Sequence, residues 1–161
     1  MLVCGATGFI GRNLAEYFSQ QDKLEVFATY HHRPPFQCPR LNWVQADLTQ
    51  SKDVASCIAG MDIILQAAAT SSGSKDIVNQ PHIHVTENAL MNSLIFRAAY
   101  EHKVSHMVFF SCSIMYNPNS TLVKEEDFNA DKDIHANYFG AGWTKIYLEK
   151  MCAFFSGLGP T

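Results

Sequence analysis

The sequence predicts an α/β fold in three layers: a doubly wound parallel sheet of about five strands with helices on both faces. Three observations carry that prediction. Strand-like apolar runs alternate with helical patterns along the whole chain, the order that βαβ units produce. The run DIILQAAA at 62–69 is almost continuously apolar, as a strand buried on both faces requires. A glycine-punctuated turn, GATGFIG, joins the first apolar run to the first amphipathic segment.

Residues 1–4 (MLVC) read as a short strand, and residues 9–20 place Ile10, Leu14 and Phe18 at helical spacing. Residues 24–30 (LEVFATY) read as the second strand. The segment 31–40, HHRPPFQCPR, holds three of the six prolines and reads as loop, because proline neither donates to a ladder nor continues a helix. A short strand, NWVQA, and a helical SKDVASCIAG follow, then the buried run at 62–69. Residues 85–101 carry Val85, Ala89, Leu90, Leu94, Ile95, Ala98 and Ala99, a broad apolar stripe for a helix packed on a sheet. HMVFFSCS at 106–113 is the next strand, followed by a polar loop to about residue 133. The last helix spans roughly 138–156 and reaches GLGPT, whose glycines and proline end it.

A chain of 161 residues with 47% hydrophobic residues fits one compact domain with its own core. Its net charge of -3 gives no basic patch for nucleic acid or an anionic membrane surface. No apolar run approaches the roughly 18 residues of a membrane span. The five cysteines, Cys4, Cys38, Cys57, Cys112 and Cys152, are odd in number and form no C-x-x-C pair, so neither a disulfide framework nor a zinc site is expected. His31-His32 and His82-x-His84 lack enough further ligands at a convincing spacing for zinc. The N-terminus lacks the basic-then-apolar order of a secretory signal, and the expected location is cytoplasmic.

The strongest motif is Gly5-Ala6-Thr7-Gly8-Phe9-Ile10-Gly11, a G-x-x-G-x-x-G between a strand and a helix. Its chemistry is anion binding. Glycines allow a tight turn and close approach of backbone amides to a pyrophosphate, whose charge the helix N-terminus stabilises.

Four further segments fall in register with this loop: ADL at 46–48, DIILQAAA at 62–69, Asn88, and VSHMVFFSCSIMY at 104–116 followed by GWTKIYLEK at 142–150. Together they resemble the extended short-chain dehydrogenase/reductase superfamily, in its nucleotide-sugar epimerase, dehydratase and reductase branch (UDP-glucose 4-epimerase-like or GDP-fucose synthase-like). The resemblance covers nearly the whole chain and implies a Rossmann-type fold, a nicotinamide dinucleotide and a nucleotide-linked sugar. It implies that Gly5, Thr7, Gly8, Phe9, Ile10 and Gly11 form the pyrophosphate loop. Asp47 and Leu48 match the pair at the adenine ring, and Ala67 and Ala68 match the segment beneath the cofactor. Gln66 stands where the family commonly has His. Asn88 matches the helix asparagine that supports the active-site water or lysine, Lys145 the lysine that holds the nicotinamide ribose, and Glu149 a glutamate often seen four residues later.

Cofactor choice depends on the end of the second strand. An NAD site places an acid there for the ribose 2′-OH, whereas an NADP site replaces it with basic groups. The chain runs Ala28-Thr29-Tyr30-His31-His32-Arg33, which favours NADP over NAD, with Arg33 and one of the histidines near the 2′-phosphate. Two positions depart from the family. Its acid/base tyrosine, four residues before the lysine, is Ala141 here, and a methyl group transfers no proton. The nearest phenol, Tyr138, lies seven residues before Lys145, about 10 Å along an ideal helix, and reaches it only from a distorted or later-starting helix. Aligned on Tyr116, the family's substrate-holding hydroxyl falls on Cys112, with Ser111 and Ser113 beside it. A thiol is a weak hydrogen-bond donor.

Three functions stay open at this stage. The first is an NAD(P)-dependent epimerase, dehydratase or reductase of a nucleotide-linked sugar, using Lys145 and Tyr138. The second is a non-catalytic NAD(P)-binding protein acting as a redox sensor or interaction module, and the third a structural subunit with no ligand. The length is about half that usual for the resembling family. Residues 1–161 are therefore expected to be its cofactor-binding domain without the substrate-binding portion, either as a fragment or as a homodimer that borrows surface from a second copy.

Overall fold

The computed structural model describes residues 1–71, 76, 79–113, 115–116 and 124–159. Five strands, β1 (Leu2–Cys4), β2 (Val26–Tyr30), β3 (Leu41–Gln45), β4 (Ile63–Gln66) and β5 (His106–Phe109), form one sheet in the order β3-β2-β1-β4-β5. Every pairing is parallel, so all five strands end on the same edge. The chain winds outward from β1 to β3, then crosses back to lay β4 on the other side of β1.

Helices cover both faces. Helix α1 (Phe9–Ser19) packs on one face, where Ala15 meets Val3, Val26, Ala28 and Leu65. The other face is covered by α2 (Ser51–Ile58), α3 (Pro81–Glu101) and α5 (Phe139–Ser156), through Val54, Ile58, Met91, Ile95, Phe96 and Leu148 against Leu2, Cys4 and Ile64. The alternation of Leu2 and Cys4 to one core and Val3 to the other is the period-two pleat of a strand buried on both faces. Helix α2 ends where Gly60, at φ +77, turns the chain toward β4. Helix α3 starts earlier than its apolar stripe suggests, because Pro81 at its first turn has φ already set for a helix.

Two strands stop several residues before the C-terminal end that the sequence predicts. The run 62–69 leaves the sheet after Gln66, and 106–113 leaves it after Phe109. Alanines and serines next to an apolar run carry no period that marks where pairing stops. The polar loop after Tyr116 lies partly outside the described residues; beyond it a 3-10 turn (Glu125–Asp127) and a short α4 (Ala130–Asp133) precede a second 3-10 turn, Ala136–Tyr138. Helix α5 runs into Gly157, while Pro160 lies outside the described residues. Among the described residues no helix is long and apolar enough to cross a membrane, and all five cysteines are free thiols.

Candidate functional site: a cleft at the carboxyl edge of the sheet

Each strand hands the chain to a loop at the same edge, and the five loops line one open cleft of about 1210 Å³. Its walls are Gly5 and Thr7–Ile10 after β1, Tyr30–Arg33 after β2, Ala46–Thr49 after β3, Ala67–Ser71 after β4, and Ser111 and Cys112 after β5. Helix α3 adds His84, Glu87, Asn88, Leu90 and Met91, and α5 adds Ala141, Thr144 and Lys145. The cleft straddles β1 and β4, where the winding reverses, and this is the crevice in which open parallel sheets bind ligands.

The glycine loop is held by backbone contact. Gly5 has φ +71, and a Cβ there would sit 2.6 Å from the Ala68 Cα. A Cβ on Gly11 would sit 2.2 Å from the Gly5 carbonyl oxygen, so α1 can begin this close to β1 only without a side chain at 11. Thr29 of β2, almost fully buried, accepts the Gly5 amide on its Oγ1 at 2.9 Å and the Ala6 amide on its carbonyl at 3.0 Å. These bonds leave the amides of Phe9, Ile10 and Gly11 at the head of α1 outside the helical ladder, with the positive end of the helix dipole facing the cleft. Phe9 and Ile10 project beside them, 86% and 48% exposed.

At the second wall Arg33 folds back on the loop, its Nη1 donating to the Thr7 carbonyl at 2.9 Å. His31 and His32 stack with ring centroids 3.7 Å apart. Asp47 accepts from the Thr49 hydroxyl and amide at 2.7 and 3.0 Å, and its carboxylate lies 4.0 Å from His31. The two bonds from Thr49 hold its carboxyl below the usual carboxylate range, and His31 adds to this.

The floor beneath the cleft rests on a buried amide network. Gln66, at the position where a histidine is common, donates to the Ala68 carbonyl at 3.1 Å and to Asn92 Oδ1 at 2.9 Å, and accepts the Ala68 amide at 3.3 Å. Asn88 accepts the Thr70 amide at 3.0 Å and donates to the Thr70 carbonyl at 2.9 Å and the His84 carbonyl at 2.8 Å. It therefore fixes the loop after β4 and makes no bond to Lys145.

Lys145 donates to the Phe110 carbonyl at 3.0 Å and lies 4.7 Å above the centre of the Phe109 ring. Burial pulls its ammonium below the ordinary lysine value, while the charges of Cys112 and Glu149 push it back up. Glu149 accepts a short hydrogen bond from Ser111, on the same wall.

The cleft thus brings together Gly5, Thr7, Gly8, Phe9, Ile10, Arg33, Asp47, Leu48, Ala67, Ala68, Asn88, Cys112 and Lys145. Three expected residues stand apart. Gly11 lies beneath the loop as a spacer, Ser113 is exposed beyond the wall, and Tyr138 belongs to the 3-10 turn before α5. The Tyr138 ring sits 5.9 Å from that of His135, and the helix starting at Phe139 does not swing the phenol onto the wall of Ala141 and Lys145. Sequence reasoning missed Thr29 and Asn92, read Gln66 only as a departure from the family's histidine, and weighed His84 only as a zinc ligand. Thr29, Gln66 and Asn92 are polar residues inside apolar stretches, a signal that marks them for burial without naming their partners.

The sequence model of the NAD dependent epimerase/dehydratase family matches residues 1–157. The chain belongs to that family. It is 27% identical over 165 residues to the uncharacterized UDP-glucose epimerase YtcB of Bacillus subtilis (strain 168), covering 94% of this chain and 50% of that protein. Among solved structures, MoeE5 in complex with UDP-glucose and NAD superposes with a TM-score of 0.78 at 24% identity, covering 99% of this chain and 50% of its own. The UDP-glucose 4-epimerase of Thermus thermophilus in complex with NAD superposes with a TM-score of 0.80 at 19% identity, covering 98% and 50%. These superpositions establish the Rossmann-type fold. The chain spans about half the length of the relatives it matches.

Proposed function

We propose that this chain is the cofactor-binding portion of an NAD(P)-dependent epimerase, dehydratase or reductase acting on a nucleotide-linked sugar. The observation that carries the reading is the glycine loop: free amides of Phe9–Gly11 at a helix head, held in place by contacts that only glycine permits at 5 and 11. The volume supports it, since about 1210 Å³ exceeds the roughly 300–1,000 Å³ of a drug-sized pocket and suits a dinucleotide. Family membership and a relative described as an uncharacterized UDP-glucose epimerase support the substrate class.

In this reading the pyrophosphate lies on the amides of the loop, the adenine end faces Asp47 and Leu48, and Ala67 and Ala68 run beneath. Lys145 holds the nicotinamide ribose, and Cys112 lies beside the substrate. The bound nicotinamide supplies two-electron redox chemistry at a sugar carbon. Lys145 orients its partner and carries a positive charge into a half-buried wall. Arg33 favours NADP over NAD, because its guanidinium already sits at the mouth of the loop and gives a 2′-phosphate a bidentate partner.

Calorimetric titration with NADP+ and NAD+ tests the reading. Arg33→Ala is expected to weaken NADP+ by tenfold or more, about 1.4 kcal/mol, and to change NAD+ little. Equal losses for both would refute the 2′-phosphate role, and no binding of either would refute the cofactor site. Ala141 favours a second reading, a dinucleotide-binding module without turnover; binding with no reduction of NAD+ on any nucleotide sugar would support it.

A further inference from the structure

One buried titratable side chain on the wall of the cleft has no role in the reading above. His84 is 5% exposed and shares the cleft with Ala141, Thr144 and Lys145. Two features place it there. Of the residues that α3 gives to the cleft, His84, Glu87, Asn88 and Met91 recur at i, i+3, i+4 and i+7 on one face, with Leu90 at its margin. Asn88, one turn along that face, is pinned by its bonds to Thr70 and sets the rotation of the helix. The start of α5 is in close contact with α3, since a Cβ on Gly140 would sit 2.8 Å from the Val85 Cγ2. The immediate neighbours of that contact, His84 and Ala141, both line the cleft.

We propose that His84 is the proton-transfer group of this cleft, doing from α3 what the methyl group of Ala141 on α5 does not do. The proposal rests on the reading of the cleft as the site of a carbinol–carbonyl interconversion. In the oxidative direction the C–H electron pair of a carbinol passes to the bound nicotinamide, the O–H bond breaks, and the neutral imidazole takes the proton. In the reverse direction the imidazolium returns that proton to the carbonyl oxygen. Imidazole suits the step because one ring nitrogen accepts a proton as the other, or the same one, later donates it. Among the described residues, the charged and titratable groups that line the cleft from these elements are Glu87 on the same helix, Lys145 on α5 and Cys112 after β5.

Histidine-selective 15N NMR tests the placement, with His84→Gln assigning the resonance. Oxidised nicotinamide carries a positive charge that the reduced ring lacks, and a positive charge in the same cleft disfavours the imidazolium. The His84 resonance is therefore expected to change from its protonated to its neutral form at lower pH with NAD+ than with NADH. Equal midpoints, with the Gly8 and Ile10 amides shifting to show that cofactor binds, would overturn the proposal and leave the cofactor site standing. If those amides do not move, the cofactor site fails and the proposal with it. The transfer itself is read with UDP-glucose as the probe. His84→Ala is expected to slow reduction of bound NAD+ by about 10²–10⁴-fold, with imidazole in the buffer restoring part of the rate. A rate unaffected by the substitution, or a loss that imidazole leaves untouched, overturns it. No rate in the unaltered chain overturns the carbinol reading beneath it.

Discussion

Replacing Gln66 with leucine isolates the amide network under the cleft. The side chain is 1% exposed and holds three hydrogen bonds: to Asn92 Oδ1, to the Ala68 carbonyl and from the Ala68 amide. Leucine nearly conserves the volume, so the cavity contribution is small. Asn92 is 0% exposed, and its orphaned Oδ1 costs about 1–3 kcal/mol. The Ala68 groups face the cleft, where water replaces the lost partner, and add about 1 kcal/mol between them. The expected destabilisation is about 2–4 kcal/mol, or roughly 5–15 °C in Tm for a chain of this size. Urea unfolding followed by the fluorescence of Trp43 and Trp143 measures it. Asn92→Leu is destabilising for the reciprocal reason, but the double variant removes both partners of the buried bond and is expected to lose about 1–3 kcal/mol less than the sum of the two. Additivity within about 0.5 kcal/mol would show that the two amides are not coupled, and the account of the floor would fall.

Two other substitutions test the loop and the core. Gly11→Ala places a methyl 2.2 Å from the Gly5 carbonyl oxygen and drives α1 away from β1, so a loss of about 1–3 kcal/mol is expected in urea unfolding, together with weakened dinucleotide binding by calorimetry. Unchanged stability would mean that the helix can start elsewhere. Burial pushes the Cys57 thiol up to about 11, while an unfolded cysteine ionises near 9.0. The unfolded chain therefore releases this proton first. The stability the thiol contributes is complete below pH 9 and is lost as pH rises to about 11. Cys57→Ala is expected to flatten that part of the stability profile, whatever it does to stability at pH 7, and an unchanged slope would count against the burial account.

What was legible in the sequence is what local chemistry decides. The loop from Gly5 to Gly11 could be read because a tight turn before a helix restricts residue type at fixed offsets. The order of strands and helices could be read because burial on two faces leaves runs such as IILQ with almost no polar residue. Pairing of distant residues could not be read. Gln66 and Asn92 are 26 apart, and Lys145 and the Phe110 carbonyl 35 apart. Neither partner carries a mark of the other. His82 and His84 look alike as a pair, and only the phase of α3 separates them, leaving 82 exposed and 84 against the cleft. In α5 the helical phase puts Ala141 and Lys145 on one face and leaves Tyr138 outside the helix.

The two ends of the cleft are built differently, and that makes the function separable from the fold. Around Gly5 and Gly11 backbone touches backbone, so a change there moves α1 or the β4 loop. At the other end Ala141, Thr144, Lys145, Cys112 and His84 line the cleft from α3, α5 and the loop after β5. A tyrosine at 141 is therefore expected to change dinucleotide binding little. Ala141→Tyr places a phenol one helical turn before Lys145, on the same wall as His84. Its Kd for the dinucleotide, measured by calorimetry, is expected to stay within about threefold, a change below about 0.7 kcal/mol. In a His84→Gln background the phenol is expected to restore reduction of bound NAD+, because both side chains deliver a proton into the same part of the cleft. A folded double variant that binds the dinucleotide and remains inactive would show that positions 84 and 141 do not address the same reacting atom.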